Sequence, residues 1–152
     1  MKNEPRFIWD EEDGVATCIL TDGKNQFVGE AICHDQDGDM KSEKTGCEIA
    51  AKRALIQYLT HIRDNELTPR LKALNQLYYN MKHSNHFNEK SYENKMLQRQ
   101  IRMTKDDLAT IKEELATKKQ ELNEYISKKE EFYQKVRKQR TTKQLQEEMD
   151  KN

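Results

Sequence analysis

Between Lys82 and Lys105 the chain gathers six cations (Lys82, Lys90, Lys95, Arg99, Arg102 and Lys105) against only Glu89 and Glu93, with His83, His86, Phe87 and Tyr92 interleaved. On a helical wheel of about 100° per residue, Tyr92, Lys95, Arg99 and Arg102 share a sector of roughly 80°, while Leu97, Ile101, Leu108 and Leu115 lie opposite. One face therefore packs, and the other presents cations beside an aromatic ring and the amides of Asn94 and Gln98. Guanidinium groups bind phosphate oxygens bidentately, aromatic faces stack on bases, and amides give and take hydrogen bonds at a base edge or ribose. Ser91 ahead of this run suits an N-cap, and a helix start adds free N–H groups and partial positive charge. The grouping suits an anion that carries a flat base. The plainer alternative is the solvated face of a charged helix.

Other chemistry finds little support. Asp35-Gln36-Asp37-Gly38-Asp39 hints at a calcium loop, but a loop of that type needs glycine at position six and glutamate at position twelve, where this chain has Met40 and Gly46. An acidic turn is expected instead. Cys33, His34 and Cys47 match no closed zinc spacing, and His83 and His86 read as a surface pair, so no metal site and no cofactor are expected. There is no glycine-rich phosphate loop or nucleophile elbow, and the carboxylates of Asp10, Glu11, Glu12 and Asp13 crowd into a turn. The reading is of a protein that is not an enzyme.

The elements that must position the cationic face follow from the helix breakers. All five glycines lie at or before Gly46 and both prolines at or before Pro69, so nothing interrupts a helix from Arg70 to Asn152. Ahead of it, Arg6 to Trp9, Val15 to Leu20 and Gln26 to Cys33 read as strands, joined by Glu11-Glu12-Asp13-Gly14 and by Asp22-Gly23, a hairpin signal. Val15, Thr17 and Ile19 alternate with Ala16, Cys18 and Leu20, so both sheet faces expect cover. Ser42 is a candidate cap for a helix to about Glu66, and Thr68-Pro69 is read as the start of a second. Ser84 to Glu89 is polar and expected to be a loop or a kink.

Ser91 then opens the third helix. Ile101, Leu108, Leu115 and Leu122 recur every seven residues, with Ile111, Tyr125 and Phe132 between them and Thr104, Lys118 and Lys129 interrupting. Such a helix outgrows an ordinary domain, so it must turn back or pack on a twin. The expected fold is α+β: a front unit over 1–90, a long packing helix over 91–137, and a disordered tail over 138–152. With Lys+Arg and Asp+Glu both 27, net charge favours no partner class. Cys18, Cys33 and Cys47, an odd number among apolar neighbours with no export signal, read as buried reduced thiols, and no run approaches a membrane span.

Six stretches carry a resemblance: Trp9-Asp10-Glu11-Glu12, Gly14-Val15-Ala16-Thr17-Cys18, Ala31-Ile32-Cys33-His34, Ser42-Glu43-Lys44-Thr45-Gly46-Cys47, Arg63-Asp64-Asn65-Glu66-Leu67 and Ser91-Tyr92-Glu93-Asn94-Lys95-Met96. In their order and continuity from about Phe7 to Leu108, the chain resembles the phage-encoded Thoeris anti-defence proteins of the first type. The resemblance implies a small antiparallel sheet with long helices. It also implies a sponge that holds glycocyclic ADP-ribose, the signal made by bacterial TIR-domain proteins, without cleaving it. The setting would be the cytoplasm of the infected bacterial host. Such proteins are oligomeric, with pockets at the protomer boundary, so a homodimer or hexamer is implied; some also hold cyclic di- or trinucleotides at a second site.

By this analogy adenine contact falls to Phe87 or Tyr92, hydrogen bonding to Asn88 and Asn94, and phosphate contact to Arg99 and Arg102, with Lys95 in the same ligand-binding set. Two other classes compete. The strand–strand–strand–helix order and Ala50-Ala51-Lys52-Arg53-Ala54-Leu55 faintly resemble a double-stranded RNA-binding domain, in which Arg53 would meet duplex phosphates. A purely structural coiled-coil phage protein is the other.

Overall fold

The structure is a computed structural model that describes residues 4–32 and 43–151. The acidic turn at Asp35 to Asp39, the pair Cys33-His34 and the cap at Ser42 lie outside the described residues. Three strands, β1 (Arg6–Asp10), β2 (Val15–Thr21) and β3 (Gln26–Ile32), form an antiparallel sheet in the order β1-β2-β3. Its turns use the two glycines with left-handed backbone, Gly14 (φ 66°) and Gly23 (φ 97°). Gly14 N–H donates to the Asp10 carbonyl at 2.8 Å, and Asp22 Oδ1 accepts from the N–H groups of Lys24 (2.9 Å) and Asn25 (2.7 Å).

Helix α1 (Glu43–His61) lies on one face of this sheet. Cross-strand register lines that face with Trp9, Ala16 and Ala31 in one row and Cys18 and Gly29 in the next. Gly46, Ala50 and Ala54 meet them from α1, and all three are buried. Small residues on both sides let the helix axis approach closely, and Arg53 Nη1 donates to the Glu30 carbonyl at 2.6 Å at the margin of the contact. The opposite face is uncovered among the described residues: Ile8 is 52% and Ile32 61% exposed. The expectation that both faces want cover is thus met, among the described residues, on one side only.

A second helix does begin at Thr68-Pro69, with the proline in its first turn, but the chain does not leave helical geometry ahead of it. Residues Ile62–Leu67 form a π-helical segment that runs directly into α2 (Thr68–Lys82), giving one rod from Glu43 to Lys82. Proline has no N–H to offer the carbonyl four residues back, and a wider turn absorbs the mismatch. Thr68 does not cap; its backbone N–H and Oγ1 both donate to the Arg63 carbonyl, the side-chain bond at 2.7 Å.

Helix α3 (Tyr92–Asp150) returns along this rod. The heptad positions Ile101, Leu108, Leu115 and Leu122 are buried, as are Leu97 and Thr104, and the Thr104 hydroxyl is satisfied by the Gln100 carbonyl at 2.8 Å. The seam that looked made for a twin is therefore covered, over this length, by α1, the π-helical segment and α2 of the same chain. The long helix packs along the front unit on this seam, so 91–137 does not stand apart from it. Nor does a disordered tail begin at 138: α3 continues to Asp150, about 88 Å from its start at 1.5 Å per residue. The overhang has no breaker, is built from good helix formers, and carries i,i+4 bonds such as Gln146 to Asp150 at 3.2 Å. The loss of apolar rhythm there is real, since 138–151 are exposed throughout.

Candidate functional site

The tip of the helical hairpin holds the predicted residues. Two short turns over 83–91 reverse the chain. Ser91 is the N-cap in extended backbone (ψ 151°), and its Oγ accepts from Asn94 N–H at 3.2 Å. With the helix phase fixed there, Tyr92, Lys95, Arg99 and Arg102 are all exposed, Tyr92 at 73%. Leu97 and Ile101 are buried opposite, as the wheel requires. From Tyr92 to Arg102 the strip is about 15 Å long at 1.5 Å per residue. Among the described residues no side-chain hydrogen bond or ion pair engages Lys95, Arg99 or Arg102; the ion pairs Arg63–Asp64 and Lys118–Glu121 lie elsewhere.

Asn94 is a correction. It was expected to face a ligand, but it is 1% exposed and sits on the packed side of α3. Its Nδ2 donates to the Glu89 carbonyl at 2.8 Å, tying the turn to the helix start, and its Oδ1 has no partner. The wheel gives the reason: two residues beyond Tyr92 is about 200° round the helix, on the side of Ile101. Asn88 is exposed and also builds the turn, its Oδ1 accepting from Lys90 N–H at 3.0 Å. Phe87 is half-buried in the same turn, not on the cationic strip. The geometry thus assembles Tyr92, Lys95, Arg99 and Arg102 on one open face, and gives Asn88 and Asn94 tasks within the fold.

A feature that sequence spacing could not reveal is a groove of about 710 Å³ where α1 and α3 meet the edge of β3, lined by Gly29, Glu30, Arg53, Gln57, Lys119 and Leu122 among others. Its residues come from three distant segments. Arg53, the candidate for duplex phosphate, is turned to the Glu30 carbonyl there.

Further along α3, Tyr125 packs against α1. Lys52 and Lys129 place their Nζ atoms 5.5 Å from its ring centre. Burial, and then a hydrogen bond to Glu48 and that residue's charge, push the phenol up to about 12. Tyr133 Oη reaches Thr45 Oγ1 at 3.5 Å about two helical turns later. These contacts tie α3 to the first half of α1. No helix among the described residues is long and apolar enough to cross a membrane. In comparisons with known proteins, no family model, no curated protein and no solved structure matches the chain.

Proposed function

We propose that the protein is a non-catalytic nucleotide sponge whose ligand is glycocyclic ADP-ribose, sequestered on behalf of a phage in the cytoplasm of its bacterial host. The observation that carries this reading is the strip on α3: three cations with no ion partner, beside a largely exposed tyrosine, at the start of a capped helix. A diphosphate flanked by riboses and adenine asks for those groups at that scale. Arg99 and Arg102 take the phosphates, Lys95 adds charge, and Tyr92 stacks on the base. The resemblance noted above supplies the identity of the nucleotide; the side chains supply only its chemical class.

An open strip binds charged ligands weakly, because water screens each contact. A second wall would exclude that water, and the reading gives this task to another copy of the chain, as a homodimer or larger assembly. The uncovered apolar groups Ile8 and Ile32 on the sheet, and Phe132, Leu145 and Met149 on α3, are surface suited to such association. A second site for cyclic di- or trinucleotides belongs to the same proposal.

Calorimetry with purified glycocyclic ADP-ribose tests the strip. Arg99→Ala and Arg102→Ala should each weaken binding by roughly ten- to a hundredfold, the worth of a hydrogen bond to a charged group, with the thermal midpoint unchanged. Equal affinity in both variants and the wild type would remove the strip from the account.

A further inference from the structure

A second cluster of chemistry-bearing side chains lies about the far end of α1, where the β2–β3 turn, the last residue of α1 and the π-helical segment converge. We propose that Asp22, His61 and Glu66 bind a divalent first-row transition-metal ion, at a site independent of nucleotide capture at the hairpin tip. One ligand atom from each residue lies within 4.8 Å of the other two.

Each member is placed by a separate structural device. Asp22 is held by the two backbone N–H groups that its Oδ1 accepts, from Lys24 and Asn25. The His61 ring is set against Phe27, with centroids 5.1 Å apart. Its Nδ1 lies 2.8 Å from the Asn65 amide, and its Nε2 has only the longer 3.4 Å approach of the Asn25 amide. The Asn65 atom beside Nδ1 is Nδ2; a half-turn of that amide puts its Oδ1 there to accept from Nδ1–H, which leaves the lone pair on Nε2. A hydrogen bond that holds one ring nitrogen while the other ligates is the usual support of a metal-binding histidine. Glu66 follows His61 by five residues. In an α-helix that offset turns a side chain to a different face, but the wider π turn brings residues five apart into line.

The donor set selects the class of ion. One imidazole and two carboxylates, with no sulfur, suit a borderline first-row cation better than calcium or magnesium, which take oxygen alone. Ligands about 2.1 Å from one ion stand roughly 3 Å from one another, a closure that the exposed Glu66 carboxylate makes by side-chain rotation. An ion there would also tie the β2–β3 turn to the helical rod.

Cobalt(II) titration of the full chain, read by visible absorption, is the test. Wild type should bind one equivalent saturably, giving d–d bands and no near-ultraviolet thiolate charge transfer. Glu66→Gln, at an exposed position, and His61→Gln should each lose at least tenfold in affinity. Zinc should displace the cobalt. Absence of saturable binding, affinity unchanged in Glu66→Gln, or a thiolate band that assigns the metal to cysteine would each overturn the proposal. Because Glu66 is solvent-facing, that variant decides the matter even if His61→Gln fails to fold.

Discussion

Gly29 of β3 and Ala50 of α1 touch backbone to backbone: a Cβ placed on Gly29 would overlap the Ala50 carbonyl oxygen and crowd the Ala54 nitrogen. Neither obstacle is a side chain that can rotate away. Gly29→Ala should therefore lift α1 off the sheet and cost about 2–3 kcal/mol or more, the upper range for overpacking a core. Urea unfolding gives the value. Gly46→Ala is the control. Its Cβ would meet the Ala16 Cβ at 3.0 Å and Trp9 Cζ3 at 3.3 Å, a milder crowding that the gain of about 1 kcal/mol in helix propensity offsets. That variant should stay within about 1 kcal/mol of wild type.

Asn94 was read from the sequence as a ligand-facing amide and is instead a buried strut. Asn94→Ala removes the bond to the Glu89 carbonyl and leaves that acceptor without its partner. The expected loss is about 1–3 kcal/mol, seen as a lower thermal midpoint. A variant with wild-type stability would return Asn94 to the list of ligand groups.

Asn94 and the long helix show what the sequence made legible. Burial opposite Tyr92 and the exposure of Lys95, Arg99 and Arg102 follow from 3.6-residue periodicity, the strands from turn signals and apolar runs, and the cap from the serine at position 91. The amide chemistry of Asn94 points to a ligand, whereas its wheel angle, about 200° from Tyr92, points to the packed side. The π-helical segment was missed because Thr68-Pro69 is equally a cap-and-start signal, and only packing of the continuous rod against α3 favours passing through it. The heptad rhythm could not say whose helix fills the seam. Asp22, His61 and Glu66 share no spacing motif, because a hairpin turn and a helix end bring them together only in the fold.

Tyr125 gives a prediction in pH. An unfolded tyrosine ionises near 10, whereas in the fold burial and Glu48 hold Tyr125 at about 12. The native state thus keeps the proton more tightly. The stabilisation is complete below pH 10 and is lost as pH rises through about 12. Titration of tyrosinate absorbance should show one of the six tyrosines ionising late, and Tyr125→Phe should abolish that step. Loss of a different step would move the buried phenol elsewhere.

The end of the α3 overhang is exposed to solvent over its described residues. Truncation after Arg140 removes a stretch whose described residues, 141–151, are all exposed. The thermal midpoint should fall by no more than about 2 °C, the scale of surface changes in a chain this size. A larger fall that depends on protein concentration would place the overhang in a contact between copies.

The central claim is capture without cleavage, and one measurement addresses it directly. The protein is incubated with the product of a TIR-domain enzyme, separated from unbound nucleotide, heat-denatured, and the released material is identified by mass and chromatography. The account predicts intact glycocyclic ADP-ribose in amounts that track the protein, with sharply less from Arg99→Ala and Arg102→Ala. Recovery of a cleaved product, or of no nucleotide from folded wild-type protein, would contradict it.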